Sequence, residues 1–591
     1  MSQSAPNPTA VSLLATLDHQ PVPLKFGTSG RRGLVVHLTQ LEVYINVLAE
    51  LQYLQSLPRH QGGIIPGEEV FFAADLRPSS TALVPSESGR GELAQAICAA
   101  IRDAEMVPCY LGEIPTPALA CYAFSKGQAS IMVTGSHIPF DRNGYKLNTS
   151  IGELLKKDEA PIQTRVDEVR ARIYGEPAER SLFDSRGMLR VGHQVLPAPD
   201  LVAREAYVQR YLSFFSGQPL SGKRLLVYQH SAVGRDLLVE VLRALGAEVV
   251  AAGRSDTFVP IDTENLEQQQ LQTIQSLAAA AWTQHGPLDA VVSADGDSDR
   301  PLVLGVEAQP ASSGGSACRV RFFGGDLLGM IVAEYLGADA VVVPISCNDA
   351  VDRGPLQAAL EPKTRIGSPY VIAGMEKARG KSRRTICGWE ANGGFLLGSD
   401  VQATGRTLAA LPTRDAFLPI LAALHAAARQ GITLATLFDR LPKRFSRAAL
   451  LKNFPRPASL EIVRRFSPDD PSIKEVSFAQ HSATLLNEDG GHMPASLSQV
   501  RTFVGIRDHL AEFFTPALGF APIARLNYVD GVRIHFENGE VAHVRPSGNA
   551  DELRFYAVAD SQARADAIAE LGVAEPLGIL RRLESSASKS G

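Results

Sequence analysis

Cysteine is scarce in this sequence, and no two cysteines stand close together. The six cysteines, at positions 98, 109, 121, 318, 347 and 387, form no CxxC pair and show no spacing typical of zinc ligands. Disulfide frameworks and structural zinc sites need clustered or regularly spaced cysteines. We therefore expect neither to stabilise the fold.

Long uncharged apolar runs and a surplus of positive charge are also missing. No such run reaches the ~18 residues that a membrane-spanning helix needs, and the N-terminal segment has no basic start leading into an apolar stretch, as a signal peptide would. The net charge is −5, whereas nucleic-acid-binding proteins usually carry a basic surplus. We therefore expect a soluble cytoplasmic protein, a monomer or dimer, without membrane or nucleic-acid partners.

The composition is that of a globular protein with several domains. The 591 residues, 45% hydrophobic and 20% charged, exceed what one hydrophobic core usually serves. Short apolar runs typical of strands alternate with helix-length segments: the strands are 68–75, 129–135, 224–229, 288–294 and 338–346, and the helices include 91–104 and 234–246. Such alternation is typical of an α/β fold.

The order of these elements predicts three related α/β domains followed by an α+β domain. Their predicted limits are 1–195, 196–315, 316–440 and 441–591. In the last domain VDG (529–531) and ENGE (537–540) are typical hairpin turns. The segment 305–320 is predicted as a loop, and the first twenty residues and 579–591 as frayed ends.

The strongest chemical signal is DGDSDR, which follows one predicted strand and precedes another apolar run. It places three carboxylates within five residues: Asp295, Asp297 and Asp299. Carboxylates are hard ligands that suit Mg²⁺, and like charges this close are costly without a cation. A calcium EF-hand needs Gly at the sixth place and an acid at the twelfth, where this chain has Arg300 and Val306. A solvated acidic turn is the alternative.

A second signal is TGSHIPFDRNGYK (134–146), which follows another predicted strand. Ser136 stands where a sharp turn from strand to loop would expose its hydroxyl. A serine nucleophile needs a neighbouring base or metal, and His137 and Lys146 are the local candidates. By itself the segment is equally compatible with an ordinary turn.

A third signal is RPSGNADELR (545–554), also after a predicted strand. Its candidate ligands are Arg545, Ser547, Gly548 and Asn549. A turn of this kind can bind an anion through backbone N–H groups together with Arg and Ser side chains, and a helix is predicted to begin near Asp551. A plain helix-capping turn is the alternative.

Two glycine-rich segments resemble nucleotide-binding motifs without matching them. KFGTSGRRG (25–33), which ends in Arg31, Arg32 and Gly33, has the spacing GxxGxxG rather than the dinucleotide fingerprint. GQPLSGKR (217–224) contains GxxxxGK, but Arg224 replaces the required Ser or Thr and a strand follows. Neither segment predicts a nucleotide.

GWEANGGF (388–395) is a glycine-flanked turn that carries two hydrogen-bonding side chains. Glu390 and Asn392 suit the recognition of vicinal sugar hydroxyls. A simple connecting loop is the alternative when this segment is taken alone.

Together and in this order, these segments resemble the α-D-phosphohexomutase superfamily, which includes phosphoglucomutases, phosphomannomutases and phosphoglucosamine mutases. TGSHIP resembles its phosphoserine loop, DGDSDR its metal loop, GWEANGG its sugar loop and RPSGNADELR its phosphate loop. The resemblance extends from Lys25 to Arg554. It implies four domains around a central cleft, the first three sharing one α/β topology.

The resemblance implies an intramolecular phosphotransferase that interconverts hexose 1-phosphate and hexose 6-phosphate, with mannose or glucose as the sugar. Ser136 would carry the phosphoryl group, and a hexose 1,6-bisphosphate would be the bound intermediate. Mg²⁺ would be held by that phosphate on Ser136 and by Asp295, Asp297 and Asp299.

The other roles that the resemblance implies concern charge and recognition. Arg32 and Arg300 would neutralise phosphate, and Lys146, with His137 beside the serine, would act as acid or base. The sugar hydroxyls would be bound by Glu390 and Asn392. The non-reacting phosphate would be bound by Arg545, Ser547, Gly548, Asn549 and Arg554, and GSPY (367–370) stands where the family often adds a substrate contact.

Some residues depart from the family pattern, and they affect the identity of the sugar more than the phosphoryl chemistry. Ile138 replaces the usual Asn of the serine loop, GWEANGG lacks the usual Ser and closing His, and the chain is longer near 305–320 and 455–525. A phosphoglucosamine mutase, a hydrolase using the same phosphoserine and a non-catalytic sugar-phosphate-binding protein stay open as alternatives.

Overall fold

A computed structural model describes residues 11–27, 30–309, 318–403, 405–480, 482–488, 491–547 and 551–587. The chain divides into two compact units. The first consists of residues 1–323 and 394–434, and the second of residues 324–393 and 435–591. In the described parts, no helix is long and apolar enough to cross a membrane.

The helices are α1 (Leu13–Thr16), α2 (Gln40–Ser56), α3 (Pro78–Thr81), α4 (Leu93–Asp103), α5 (Thr116–Lys126), α6 (Glu159–Gly175), α7 (Val202–Phe214), α8 (Arg235–Ala244), α9 (Gln268–His285), α10 (Gly325–Leu336), α11 (Ser368–Gly380), α12 (Phe417–Gln430), α13 (Leu434–Asp439), α14 (Arg456–Arg465), α15 (Leu497–Ala511), α16 (Gln562–Val573) and α17 (Ile579–Ala587).

The strands are β1 (Lys25–Phe26), β2 (Arg31–Leu34), β3 (Glu69–Ala74), β4 (Leu83–Val84), β5 (Arg90–Gly91), β6 (Val107–Glu113), β7 (Ser130–Val133), β8 (Arg142–Asn148), β9 (Arg224–His230), β10 (Glu248–Arg254), β11 (Ala290–Ala294), β12 (Pro301–Ala308), β13 (Cys318–Phe322), β14 (Ala340–Val342), β15 (Ile386–Trp389), β16 (Phe395–Leu397), β17 (Val401–Ala403), β18 (Arg406–Leu408), β19 (Leu411–Asp415), β20 (Phe445–Lys452), β21 (Ile473–Phe478), β22 (Ala483–Asn487), β23 (His492–Pro494), β24 (Ile523–Asn527), β25 (Val532–Phe536), β26 (Val541–Pro546) and β27 (Glu552–Ala559).

The first unit contains a six-stranded sheet in the order β1-β2-β8-β7-β3-β6. β3 runs parallel to β6 and β7, while β8, β2 and β1 continue the sheet in antiparallel fashion. The interior strands are apolar and buried, as expected of strands covered on both faces. The segments after β3 and β7 leave the sheet at the same edge, because the two strands are parallel.

A five-stranded sheet in the order β10-β9-β11-β12-β13 lies in the same unit. β9, β10 and β11 are parallel, and β12 and β13 are antiparallel additions. β11 and β12 pair up to Ala294 and Pro301, so the six residues between them form the hairpin loop. β13 belongs to this sheet, beyond residue 315.

The second unit contains an eight-stranded antiparallel sheet in the order β20-β27-β26-β25-β24-β21-β22-β23. Helices α14 and α16 pack on it, and the apolar side chains of this sheet and these helices form one core. β14 and β15 form a parallel pair in this unit. The mixed α/β class and the α+β character of the last part are confirmed, as are the hairpin turns at 529–531 and 537–540.

Two local predictions are wrong. The predicted loop 305–320 contains the end of β12 and the start of β13, which pair with each other, and 310–317 lie outside the described residues. The predicted helix near Asp551 is instead β27, which pairs with strands on both sides. Its alternate residues, Leu553, Phe555 and Ala557, are fully buried, as in a strand rather than a helix.

The two predicted frayed ends, the first twenty residues and 579–591, are ordered in their described parts, and residues 1–10 and 588–591 lie outside the described residues. Leu13 of α1 is fully buried and is tied by its N–H group to the carbonyl of Glu176. In α17 the buried side chains Ile579, Leu580 and Leu583 join the core of the second unit. These apolar residues lie on one face of the helix, and their burial anchors the segment to the core. The composition of the segment alone did not indicate this.

Gly329 provides a test of core packing in the second unit. This α10 residue faces fully buried Trp389, and a Cβ at position 329 would lie 2.3 Å from the indole Cγ. Gly329→Ala should therefore overpack the core and lower stability by about 1–3 kcal/mol, seen as a lower Tm. Gly380→Ala is the matched control, because a Cβ there meets no atom within 4 Å. Equal Tm values for the two variants would contradict this packing.

Candidate active site

The serine loop follows β7 and holds Ser136 in an unusual conformation. Ser136 is fully buried and has a φ of +54°, a left-handed backbone that is uncommon for residues other than glycine. Its N–H group donates to Thr134 Oγ1 at 2.7 Å, and Thr134 Oγ1 donates to Asp75 Oδ2 at 2.8 Å. Such a conformation persists only where the surroundings hold it.

The acidic loop is built around Asp295. Its Oδ1 accepts hydrogen bonds from the N–H groups of Asp299 and Arg300, at 3.2 and 3.1 Å. Its Oδ2 accepts one from Ser136 Oγ at 2.7 Å. The serine hydroxyl from one sheet and the acidic loop from the other are therefore in direct contact.

All three aspartates of this loop are buried, and one carboxylate oxygen from each lies within 4.8 Å of the other two. Lys146 Nζ lies 2.7 Å from both Asp297 Oδ2 and Asp299 Oδ2. Thr116 Oγ1 donates to Asp297 Oδ2 at 2.6 Å, and Arg414 Nη2 donates to Asp299 Oδ2 at 2.8 Å. Lys146 and Arg414 thus donate hydrogen bonds to Asp297 and Asp299, whereas Asp295 has, in the described part of the chain, only Arg300 Nε nearby, at 3.9 Å.

This uneven distribution of charge gives the three carboxyl groups different pKa values. Burial, followed by the charges of Asp297 and Asp299, raises the pKa of Asp295 well above its ordinary value. Burial opposes ionisation of Asp299 as well, but Arg414 and Lys146 hold its pKa well below the ordinary value. The pKa of Asp297 is also lowered, because Lys146 outweighs the effects of burial and of Asp299.

The remaining predicted residues of the first unit lie around this cluster. Arg32 stands opposite Gly144 in the register of β2 and β8, on the same face as Lys146. Burial and then the charge of Arg300 lower the pKa of Arg32 to about 10. Arg300 Nε is 3.7 Å from Asp299 Oδ1.

His137 completes this group. Its Nδ1 lies 3.4 Å from Ser136 Oγ, so the imidazole ring lies beside the serine hydroxyl. The structure thus brings together every site residue that the sequence predicted in the first unit.

The donor set fits a divalent cation. Asp297 Oδ1 and Asp299 Oδ1 are buried and have no hydrogen-bond partner among the residues the structure describes. Buried carboxylate oxygens without partners are costly unless a cation compensates them. Oxygen-only ligation by three carboxylates is typical of hard ions such as Mg²⁺.

The predicted residues of the second unit lie in two of its segments. Glu390 and Asn392 are buried after β15. At the end of β26, Arg545 Nε is 3.1 Å from Asp530 Oδ2, and that same oxygen accepts the N–H group of Ile366. The segment leading into GSPY (367–370) is thereby linked to the turn beside Arg545.

Three more predicted residues, Ser547, Gly548 and Asn549, belong to the RPSGN segment, and Arg554 follows it in β27. The buried Ser547 donates its N–H group to the carbonyl of Glu552, and Arg554 Nη2 is 3.6 Å from the carboxylate of Glu552. Gly548 and Asn549 lie outside the described residues.

Four further residues of the site were missed by the sequence analysis: Asp75, Arg77, Thr116 and Arg414. A signal existed for the first two, because they come directly after the apolar run that forms β3, at the edge where α/β sheets gather polar groups. Thr116 and Arg414 gave no such signal. Each reaches its aspartate across more than a hundred residues of sequence.

Models of known families match three parts of the chain. Residues 23–172 match phosphoglucomutase/phosphomannomutase alpha/beta/alpha domain I, residues 324–445 match domain III and residues 508–573 match the C-terminal domain. The matches include the serine loop, the GWEANGG segment and the RPSGN segment.

Similar proteins match almost the whole chain. A phosphomannomutase of Sinorhizobium fredii is 35% identical over 552 residues, 93% of this chain and 98% of that protein. One of Salmonella muenchen is 37% identical over 93% of this chain and 94% of that protein. A phosphoglucomutase/phosphomannomutase family structure from Burkholderia thailandensis has the same fold, with a TM-score of 0.59 and 17% identity over 95% of this chain and 97% of that one.

Cation binding to the acidic cluster has a test that does not depend on activity. Because a ligand that binds only the folded state stabilises it, Mg²⁺ or Mn²⁺ at 100 times its Kd should add about 2.7 kcal/mol and raise the Tm. Asp297→Asn should reduce this increase strongly. Asp326→Asn is the control, a buried carboxylate of the second unit bound to backbone N–H groups, and it should keep the increase. An unchanged increase in Asp297→Asn would contradict the assignment.

Proposed function

Since this chain belongs to the phosphoglucomutase/phosphomannomutase family, we propose that it interconverts mannose 1-phosphate and mannose 6-phosphate by way of a phosphorylated Ser136. The chain is a hexose-phosphate mutase and therefore an isomerase. The choice of mannose is supported by the two phosphomannomutases that are similar to it over 93% of its length. The observation that carries the mechanism is the 2.7 Å contact of Ser136 Oγ with Asp295.

The reaction divides into two transfers between the same oxygen atom and the sugar. In the first, the bond between Ser136 Oγ and phosphorus breaks as a sugar hydroxyl attacks, and the proton of that hydroxyl passes by way of Lys146, which gives up one proton as it takes up another, to the departing Ser136 Oγ. The product is a hexose 1,6-bisphosphate. In the second, Ser136 Oγ attacks the other phosphate, the bond between that phosphorus and the sugar oxygen breaks, and the proton that Ser136 loses passes by way of Lys146 to the departing sugar oxygen. The enzyme is thereby restored.

The site residues of the first unit position and neutralise the transferring group. Phosphoryl transfer depends mostly on such positioning and charge stabilisation. Arg32 and Arg300 are proposed to bind the transferring phosphate, and His137 to assist Lys146 in proton transfer. Mg²⁺, held by the three aspartates of the acidic loop together with the phosphate on Ser136, would supply Lewis-acid stabilisation of the transferring oxygens.

The recognition of the sugar and of its second phosphate is assigned to the second unit. We propose that Glu390 and Asn392 bind the hydroxyls. The non-reacting phosphate is assigned to Arg545, Ser547, Gly548, Asn549 and Arg554. This site must accept either end of the bisphosphate, because the intermediate turns around between the two transfers.

The family relation also supports two proposals about the chain as a whole. We propose that it has four domains with the limits given in the sequence analysis, except that the second extends to Phe322, because β13 belongs to its sheet. The cytoplasm is the proposed location.

Ser136→Ala tests the nucleophile. Without Oγ no phosphoenzyme can form, so mutase turnover should fall by at least about 10³-fold, and intact mass should no longer show a phosphatase-sensitive phosphoryl group. Ser125→Ala, at an exposed α5 serine, should retain both. Near-normal turnover in Ser136→Ala would refute the proposed route.

A comparison of sugars tests the substrate. Mannose and glucose 1-phosphates differ in the orientation of one hydroxyl, so kcat/KM should favour mannose by the net worth of about one hydrogen bond, roughly 2- to 10-fold. Glucosamine 1-phosphate should be the poorest of the three. If it is turned over fastest, the phosphoglucosamine mutase alternative replaces this proposal, and phosphate release without isomerised product would indicate a hydrolase.

A further inference from the structure

Arg77 is a fully buried arginine whose guanidinium group is bound to the backbone of the serine loop. It donates to the carbonyl oxygens of Ser136 at 3.2 Å, Ile138 at 2.9 Å, Pro139 at 2.6 Å and Arg142 at 2.8 Å. One side chain thus fixes four carbonyl groups around the turn that carries Ser136. It contacts no reacting atom.

Asp75 binds Arg77 directly and is linked to Ser136 through Thr134. Its Oδ1 accepts the N–H group of Arg77 at 3.0 Å, and its Oδ2 accepts Thr134 Oγ1, the atom that binds the N–H group of Ser136. The carbonyl and N–H groups of Ser136 are therefore bound through one connected set of contacts, which holds the left-handed backbone at this residue.

Phe258 connects this set of contacts to the acidic loop. The Arg77 guanidinium lies over its ring, with Cζ 3.8 Å from the ring centroid, a favourable cation–π geometry. The same ring packs against Gly296, where a Cβ would lie 2.9 Å from the phenyl Cζ and 2.7 Å from the carbonyl oxygen of Ser136. Ser231 anchors the Phe258 segment by accepting the N–H group of Val259.

We propose that Arg77 and Phe258 are positioning residues, which together fix the separation of Ser136 and the acidic loop. This inference rests on the proposed function, because it assumes transfer at Ser136 Oγ. The guanidinium group fixes the loop that carries Ser136. The Phe258 ring lies between this guanidinium group and Gly296, which stands between Asp295 and Asp297 in the sequence. A misplacement of about 1 Å can cost about 10²-fold in rate, so this spacing affects turnover directly.

Lysine cannot replace Arg77 in this role. The planar guanidinium has five N–H donors in a fixed geometry, whereas an ammonium group offers three donors from one atom. Arg77→Lys keeps the charge but loses most of the carbonyl contacts. Phe258→Leu keeps an apolar side chain but loses the flat ring between the guanidinium and Gly296.

Steady-state kinetics of the full-length protein test the proposal. Arg77→Lys and Phe258→Leu should each lower kcat by about 10²-fold while KM changes less than about twofold. Because the two residues are in contact, the double variant should lose little more than the worse single variant. The matched controls are Arg90→Lys, at a buried arginine bound to the carbonyl of Arg186, and Phe183→Leu, at a buried ring packed on Tyr44. Both should keep normal kcat.

Hydrogen exchange of the 134–142 peptide separates this inference from the proposed function. Arg77→Lys and Phe258→Leu should speed its exchange at least severalfold, while Arg90→Lys and Phe183→Leu leave it unchanged. This readout does not require Ser136 to be the nucleophile, which Ser136→Ala tests independently. If Arg77→Lys does not fold, Phe258→Leu alone decides the question.

Three results would overturn the proposal. They are unchanged exchange in the 134–142 peptide, losses of kcat that simply follow the loss of Tm across all four variants, and a rise in KM as large as the fall in kcat.

Discussion

The burial of three carboxylates in one hairpin loop is the constraint on which the first unit depends. Asp295, Asp297 and Asp299 repel one another, and burial removes the water that would screen them. The chain compensates with hydrogen bonds from Lys146 and Arg414 to Asp297 and Asp299, and Arg300 Nε stands 3.7 Å from Asp299. Asp297 Oδ1 and Asp299 Oδ1 keep no hydrogen-bond partner among the residues that the structure describes, a donor set that suits a divalent cation better than a closed ion-pair network.

The topology of the two sheets brings the serine to this cluster. The serine loop leaves the six-stranded sheet after β7, and the acidic loop connects β11 and β12 of the five-stranded sheet. The carbonyl oxygen of Ser136 approaches Gly296 so closely that a Cβ at that position would lie 2.7 Å away. The glycine between the first two aspartates is therefore required by the approach of a second backbone.

Local patterns revealed those parts of the site whose chemistry is concentrated in a few consecutive residues. The acidic loop and the serine loop were recognisable because each follows a clear apolar strand. Thr116 and Arg414 were not, because their roles come only from contacts with residues distant in sequence. The helix predicted near Asp551 failed for a related reason: pairing with β20 and β26 decides that segment, and tertiary context overrides local preference.

The sequence by itself determined the α/β class and the residue types gathered in the candidate site, because hydrophobic periodicity and ligand type are local properties. Tertiary structure alone decided that Ser136 contacts Asp295, that Lys146 bridges two aspartates and that Arg77 binds the serine loop. These contacts join residues up to 159 positions apart. Their geometry follows from how the sheets pack, and no short stretch of sequence carries that information.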